Sequence, residues 1–211
     1  MARNDVTRLY TFLCQLSASR LRSLKHANHS WLPRLQDTVP ERLATAICTS
    51  IYPSRGDSEE EFLKKLAWLY SWLIPRNVHG FPWVLYRRNG PSTPSEDFSL
   101  HERFIARLAY PGCRMTHAMI LSMSAIYCCV ITTDPEIQAP DGTTAVCLTV
   151  WPGLPFLGVS TLGRITTERL DRALRDVLPG IPQEQLIATY ENFESMYGVV
   201  IRANYQLLSA H

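Results

Sequence analysis

The residues of this 211-residue chain that could hold a metal or act as nucleophile or base are its six cysteines and six histidines. Their spacing argues against both roles. Cys128 and Cys129 are adjacent in an apolar run and would face opposite ways on a strand, while Cys14, Cys48, Cys113 and Cys147 stand apart with no CxxC pair. Buried thiols are expected instead. His26 and His29 could share a helical face, but no second ligand pair stands near them, so solvated or capping roles are expected. His101-Glu102 lacks the second histidine of a zinc-protease helix, and no GxSxG or P-loop sequence occurs. With no nucleophile, base and orienting group in view, we expect no enzyme, no metal and no cofactor.

Charge points to a different chemistry. The chain carries a net charge of +2. Residues 1–56 are more basic than that, with Arg8, Arg20, Arg34 and Arg42 among their cations against only Asp5, Asp37 and Glu41. Several arginines on one face could grip phosphates, giving salt-dependent and sequence-independent affinity. A soluble helical surface is the competing reading.

The elements that would position these groups follow from periodicity. Val6, Leu9, Tyr10 and Leu13 form the buried stripe of a helix over about 5–16. Ser17 can cap a second helix through about His26, and Trp31 is read as a core plug. Thr38-Val39-Pro40-Glu41 is a capping-box pattern before Leu43, Ile47 and Ile51. Ser58-Glu59-Glu60-Glu61 repeats the signal before Phe62, Leu66, Leu69, Tyr70 and Leu73. The first 75 or so residues thus make a death-domain-sized bundle. Phe81 to Tyr86 could be a short helix or an edge strand. Residues 87–95, with Gly90-Pro91 and Pro94, are the best linker, so 1–89 is expected to be all-helical and 97–211 to contain one antiparallel sheet.

In that second part Leu100, Phe104 and Leu108 mark a helix. Met115 to Leu121 and Ala125 to Thr132 read as two strands rather than one membrane span. Residues 134–142 make a polar loop. Ala145 to Val150 and Phe156 to Ser160 form a hairpin around Trp151-Pro152-Gly153-Leu154-Pro155, followed by a helix from Thr166 or Thr167 that stops before Pro179-Gly180. A strand near 185–189 and a last helix carrying Phe193, Met196 and Val200 complete an α+β reading. Met1 to Asp5 lead straight into an amphipathic helix rather than an apolar signal segment, so a nucleocytoplasmic protein with reduced cysteines and no membrane contact is expected.

This order of parts resembles the amino-terminal half of the centromere protein N family of inner-kinetochore subunits. The resemblance lies in Leu16-Ser17 before Leu21 and a downstream tryptophan, Thr38-Val39 before Arg42, and Trp83-Val84 followed by Gly90-Pro91, Glu96-Asp97 and Phe104. The turn Leu154-Pro155-Phe156 and Arg164 ahead of the next helix extend it over nearly the whole chain. It implies a pyrin-like helical domain over 1–89 and, over 97–211, the α/β domain shared by centromere proteins N and L. It also implies a nuclear protein of the centromere and kinetochore that acts in chromosome segregation. Its DNA contacts would come from Arg8, Arg42 and Arg164. A residue at or near Asp5 would meet the exposed loop of the centromeric histone H3 variant. Pairing with centromere protein L, which the family makes through a carboxy-terminal region beyond the part resembled, and contacts with other inner-kinetochore subunits are implied as well.

The chain departs from the family pattern in places. Arg3 and Thr7 stand where acidic residues are expected, and Tyr10, Thr11 and Gln15 stand where vertebrate members are basic. Ala44-Thr45 replace a basic pair, and Asp134, Glu136 and Asp141 make a usually basic loop acidic. Two readings stand: a nucleosome-binding kinetochore module, or a pyrin-like adaptor that binds another protein without DNA.

Overall fold

The computed structural model describes residues 2–52, 58–76, 78–88, 94–133, 143–178 and 185–209. The expectations for Gly90-Pro91, for the acidic loop with Asp134, Glu136 and Asp141, and for Pro179-Gly180 lie outside them. In chain order the elements are α1 (Ala2–Leu13), α2 (Ala18–Arg22), α3 (Pro40–Ile51), α4 (Glu59–Leu73), β1 (Trp83–Arg87), α5 (Pro94–Leu108), β2 (Arg114–Ser122) and β3 (Ala125–Thr133). They continue with β4 (Thr144–Val150), β5 (Phe156–Leu162), α6 (Thr167–Val177), β6 (Leu186–Tyr190) and α7 (Phe193–Ser209). The fold is α+β, with seven α-helices among the described residues and one six-stranded antiparallel sheet in the order β2-β3-β4-β5-β1-β6.

Local signals explain the helix starts, with one correction. The Ser17 hydroxyl accepts from the Arg20 amide and starts α2, and Ser58 accepts from the Glu61 amide at 3.2 Å to start α4. The capping box at Thr38 and Glu41 does not form. Val39 is the N-cap of α3, Pro40 opens the helix, and the Asp37 carboxylate takes the Val39 amide at 2.9 Å.

The sheet supplies a second correction. Phe81 to Tyr86 is neither helix nor edge: β1 is an interior strand, with Val84 opposite Val159 of β5 on one side and Thr189 of β6 on the other. Residues 1–89 are therefore not all-helical. The strand reaches the sheet because Trp83 and Leu85 alternate inward, both at 0 % exposure, and burying two such side chains outweighs the short local pattern.

Helices cover both faces of the sheet. Alternate residues of β3 divide cleanly: Tyr127, Cys129 and Ile131 join Leu9, Leu13, Leu66, Leu73 and Met196 in one apolar cluster. Ile126, Cys128 and Val130 join Phe104, Leu108, Leu174 and Val177 in the other. The two adjacent cysteines thus face opposite ways, as expected. Cys48, Cys128, Cys129 and Cys147 are buried thiols, whereas Cys14 and Cys113 are half-buried. Burial raises the Cys48 and Cys128 thiols to about 12, which leaves them inert at neutral pH. Trp31 packs against the core but does not enter it. It lies half-buried in a ring cluster with His29 at 5.4 Å and Trp68 at 5.8 Å, which also gives His29 a packing role. No described helix is long and apolar enough to cross a membrane.

Candidate nucleic-acid interface

The first helix meets the sheet at one polar joint. The Thr143 hydroxyl donates to Asp5 Oδ1 at 2.7 Å, and the Thr143 amide donates to the same oxygen at 3.3 Å. One residue on, the Thr144 hydroxyl donates to the Arg164 carbonyl at 2.5 Å. Gly163, at φ +98°, permits this approach, since a Cβ there would sit 3.1 Å from the Thr143 carbonyl oxygen. The start of α1, the start of β4 and the end of β5 are tied together at this point.

This joint decides where the expected site residues lie. Asp5 is only 1 % exposed, so its carboxylate is turned into the protein and not toward a histone. Burial raises its pKa; the Thr143 bonds and the Arg8 charge pull in the opposite direction. A carboxylate three residues from Arg8 and bonded across to the sheet serves better as an anchor than as a reader. The neighbours on the outer side of this turn are Asn4 and Thr7, both exposed.

Arg8 and Arg164 meet the joint in different ways, Arg8 through its charge beside Asp5 and Arg164 through its backbone carbonyl. Arg8 is half-buried, and its charge is felt by both Asp5 and the buried Tyr70 hydroxyl. Arg164 is exposed at the start of the loop into α6. Arg42 belongs to a different element. It lies on the first turn of α3, 75 % exposed, with its guanidinium 3.7 Å from Asp37. A solvent-screened pair of this kind is weak, so the guanidinium can leave it for a phosphate.

α3 reaches α1 along an apolar seam. The Cys48 thiol points at the Val6 carbonyl at 3.9 Å, and Val6, Thr7, Tyr10, Thr45, Cys48 and Tyr52 line an open groove of about 370 Å³. Arg42 lies about one turn before Thr45 on the same helix.

No family model matches the chain, and no curated protein matches it.

Two residues carry roles that spacing did not reveal. Gln15, which stands where vertebrate members of the resembled family are basic, accepts from the His79 amide at 2.6 Å and donates to the His79 carbonyl at 3.2 Å. A lysine could make only one of those bonds. Thr143 follows the polar sequence 134–142 and had no periodic signal at all; only the tertiary fold brings it to Asp5. Among the described residues, no group of three His, Cys, Asp or Glu side chains could hold a metal ion.

Proposed function

We propose that this chain is a nucleosome-binding kinetochore module similar to the amino-terminal half of centromere protein N, acting in the nucleus in chromosome segregation and without enzymatic activity. What supports the reading is that α1, which carries Arg8, and the segment after β5, which carries the exposed Arg164, are tied to one joint through Thr143 and Thr144. Half-buried Arg8, exposed Arg164 and, on the neighbouring helix, exposed Arg42 supply cations from three elements for phosphates. The resembled motifs also have structural roles here. Trp83 and Phe104 are fully buried, and Asp97 forms a buried ion pair with Arg88, so their order reads as the frame of a shared fold.

In this reading helices α1 to α4 form the pyrin-like unit. The sheet with α5 to α7 forms the unit shared with centromere protein L, and β1 belongs to the second. The histone contact falls to the exposed turn around Asn4 and Thr7, since Asp5 faces inward. Centromere protein L and other inner-kinetochore subunits are the expected partners.

The test is DNA and nucleosome binding by the wild type and an Arg8→Ala/Arg42→Ala/Arg164→Ala variant across a salt series. Each lost phosphate contact should flatten the log–log salt slope by roughly 0.9 and weaken every DNA sequence about equally. Equal slopes for wild type and variant would remove the DNA reading. The apolar groove between α1 and α3, with Tyr52 47 % exposed at its rim, favours the second reading. An adaptor of this kind would lay a partner's apolar helix there without DNA.

A further inference from the structure

The two edges of the sheet are protected very differently. β6 is only five residues long, its register against β1 shifts between Leu85 and Tyr86, and Glu191 follows it directly. Short length, irregular pairing and nearby charge are the usual guards of an exposed edge. β2 lacks the first two and carries only one charge, Arg114 at its first residue, paired with Glu59. It runs nine residues in unbroken register with β3, from Arg114 opposite Thr133 to Ser122 opposite Ala125, and no described strand pairs with its outer side. From Met115 to Thr133 the sequence contains no Asp, Glu, Lys, Arg or Pro.

This edge is also apolar on its open face. Met119 is 44 % exposed and Leu121 65 %, while the Met123 side chain, 56 % exposed, sits at the hairpin tip. Met123 and Ser124 both hold positive φ, 49° and 57°, as a two-residue turn joining right-twisted strands requires, although glycine or asparagine meets that demand with less strain. A long edge with one charge at its first residue, ending in an exposed methionine, is a ready template for pairing with another strand.

We propose that β2 pairs with β2 of a second copy of this chain, continuing the antiparallel sheet across a two-fold axis at Ala118. A strand related to itself by a two-fold axis normal to the sheet is antiparallel, and centring on Ala118 uses the full length of β2 in both copies. That register sets Met115 against the partner copy's Leu121, and His117 against its Met119, on the open face. Thr116 meets Ile120 on the other face, and Met123 reaches the partner copy's Cys113. Arg114, the one formal charge, falls opposite a serine, Ser122. It is already matched by Glu59 of its own chain, so no like charges oppose each other. Pairing β2 with the partner's β6 would leave an edge at each end and build an open chain, whereas the two-fold pairing closes.

The experiment is light scattering after size exclusion over a dilution series. The wild type should run at twice the chain mass and dissociate on dilution. Met119→Lys/Leu121→Lys, which alters only exposed positions, should run as a folded monomer, with circular dichroism and melting checking the fold. Ile187→Lys on β6, a position 41 % exposed, should leave the dimer intact. Amide exchange over residues 114–122 should slow as concentration rises, which separates strand pairing from packing of faces. A wild type that is monomeric at every concentration overturns the proposal. So does a dimer that survives the β2 variant, a dimer lost in the β6 variant, or exchange over 114–122 that ignores concentration.

Discussion

The Asp5 carboxyl takes both Thr143 bonds on Oδ1, and its Oδ2 is buried without a hydrogen-bond partner among the described residues. Burial raises its pKa above 3.8, so the folded state binds the proton more tightly than the unfolded chain does. Stability contributed by this group therefore falls as pH rises from about 3.8 through the raised folded value, and is flat above it. Asp5→Asn keeps an acceptor for Thr143 and has no charge to bury, so urea denaturation should show it gaining on the wild type between pH 4 and pH 7. Asp5→Ala leaves the Thr143 amide and hydroxyl unpaired and should cost about 1–3 kcal/mol at pH 7. A wild type that gains on Asp5→Asn over the same pH range would show that the Arg8 charge, not burial, governs the site. Nothing in the sequence distinguishes an inward Asp5 from an outward one, because its partner lies across the whole chain at Thr143.

At the scale of elements, the end of β1, the start of α5 and the β4–β5 turn are fastened by one buried ion pair. Arg88 and Asp97 are 7 % and 0 % exposed; Arg88 also donates to the Leu154 carbonyl at 3.1 Å, and Asp97 accepts from the Gly153 amide at 2.7 Å. Asp97→Ala strands the Arg88 charge inside the protein and should cost about 3–5 kcal/mol in urea denaturation. Adding Arg88→Met should recover part of that loss, because the stranded charge is then gone. A double variant whose loss equals the sum of the two single losses would mean that the pair is not coupled.

Most elements were legible from apolar period and cap residues: α4 from Ser58 and its stripe, the β4–β5 hairpin from Pro and Gly confined to its turn, and β3 from a run apolar on both faces. β1 was not. Five residues fit a helix or an edge strand equally well, and only the long-range register with β5 and β6 makes β1 interior. The arginines were visible as charge, but the joint that Arg8 and Arg164 flank depends on Thr143 and Thr144, which carry no charge and no period.

At the scale of the molecule, the chain was expected to divide within residues 87–95, between parts 1–89 and 97–211, but one apolar cluster draws residues from both parts. The cluster on one face of the sheet runs without a break from Leu9 and Leu13 through Leu66 and Tyr70 to Trp83, Tyr127, Phe193 and Met196. Trp83 packs edge-on against Phe193 at 5.4 Å, and the Ser71 hydroxyl donates to the Ala118 carbonyl of β2 at 2.9 Å. A fragment beginning at residue 97 would lack β1 and leave β6 without its partner strand. It would also expose the face that α4 covers. Such a fragment should bind an apolar dye and unfold without a cooperative transition. One beginning at Val78 keeps β1 but still bares Tyr127, Cys129 and Ile131, and should be only marginally better. The full chain, with one shared interior, should unfold in a single step with coincident tryptophan fluorescence and circular dichroism transitions. Two separated transitions, or a cooperative fold in the fragment from residue 97, would mean that the helical part and the sheet are stable apart and that their common core adds little to either.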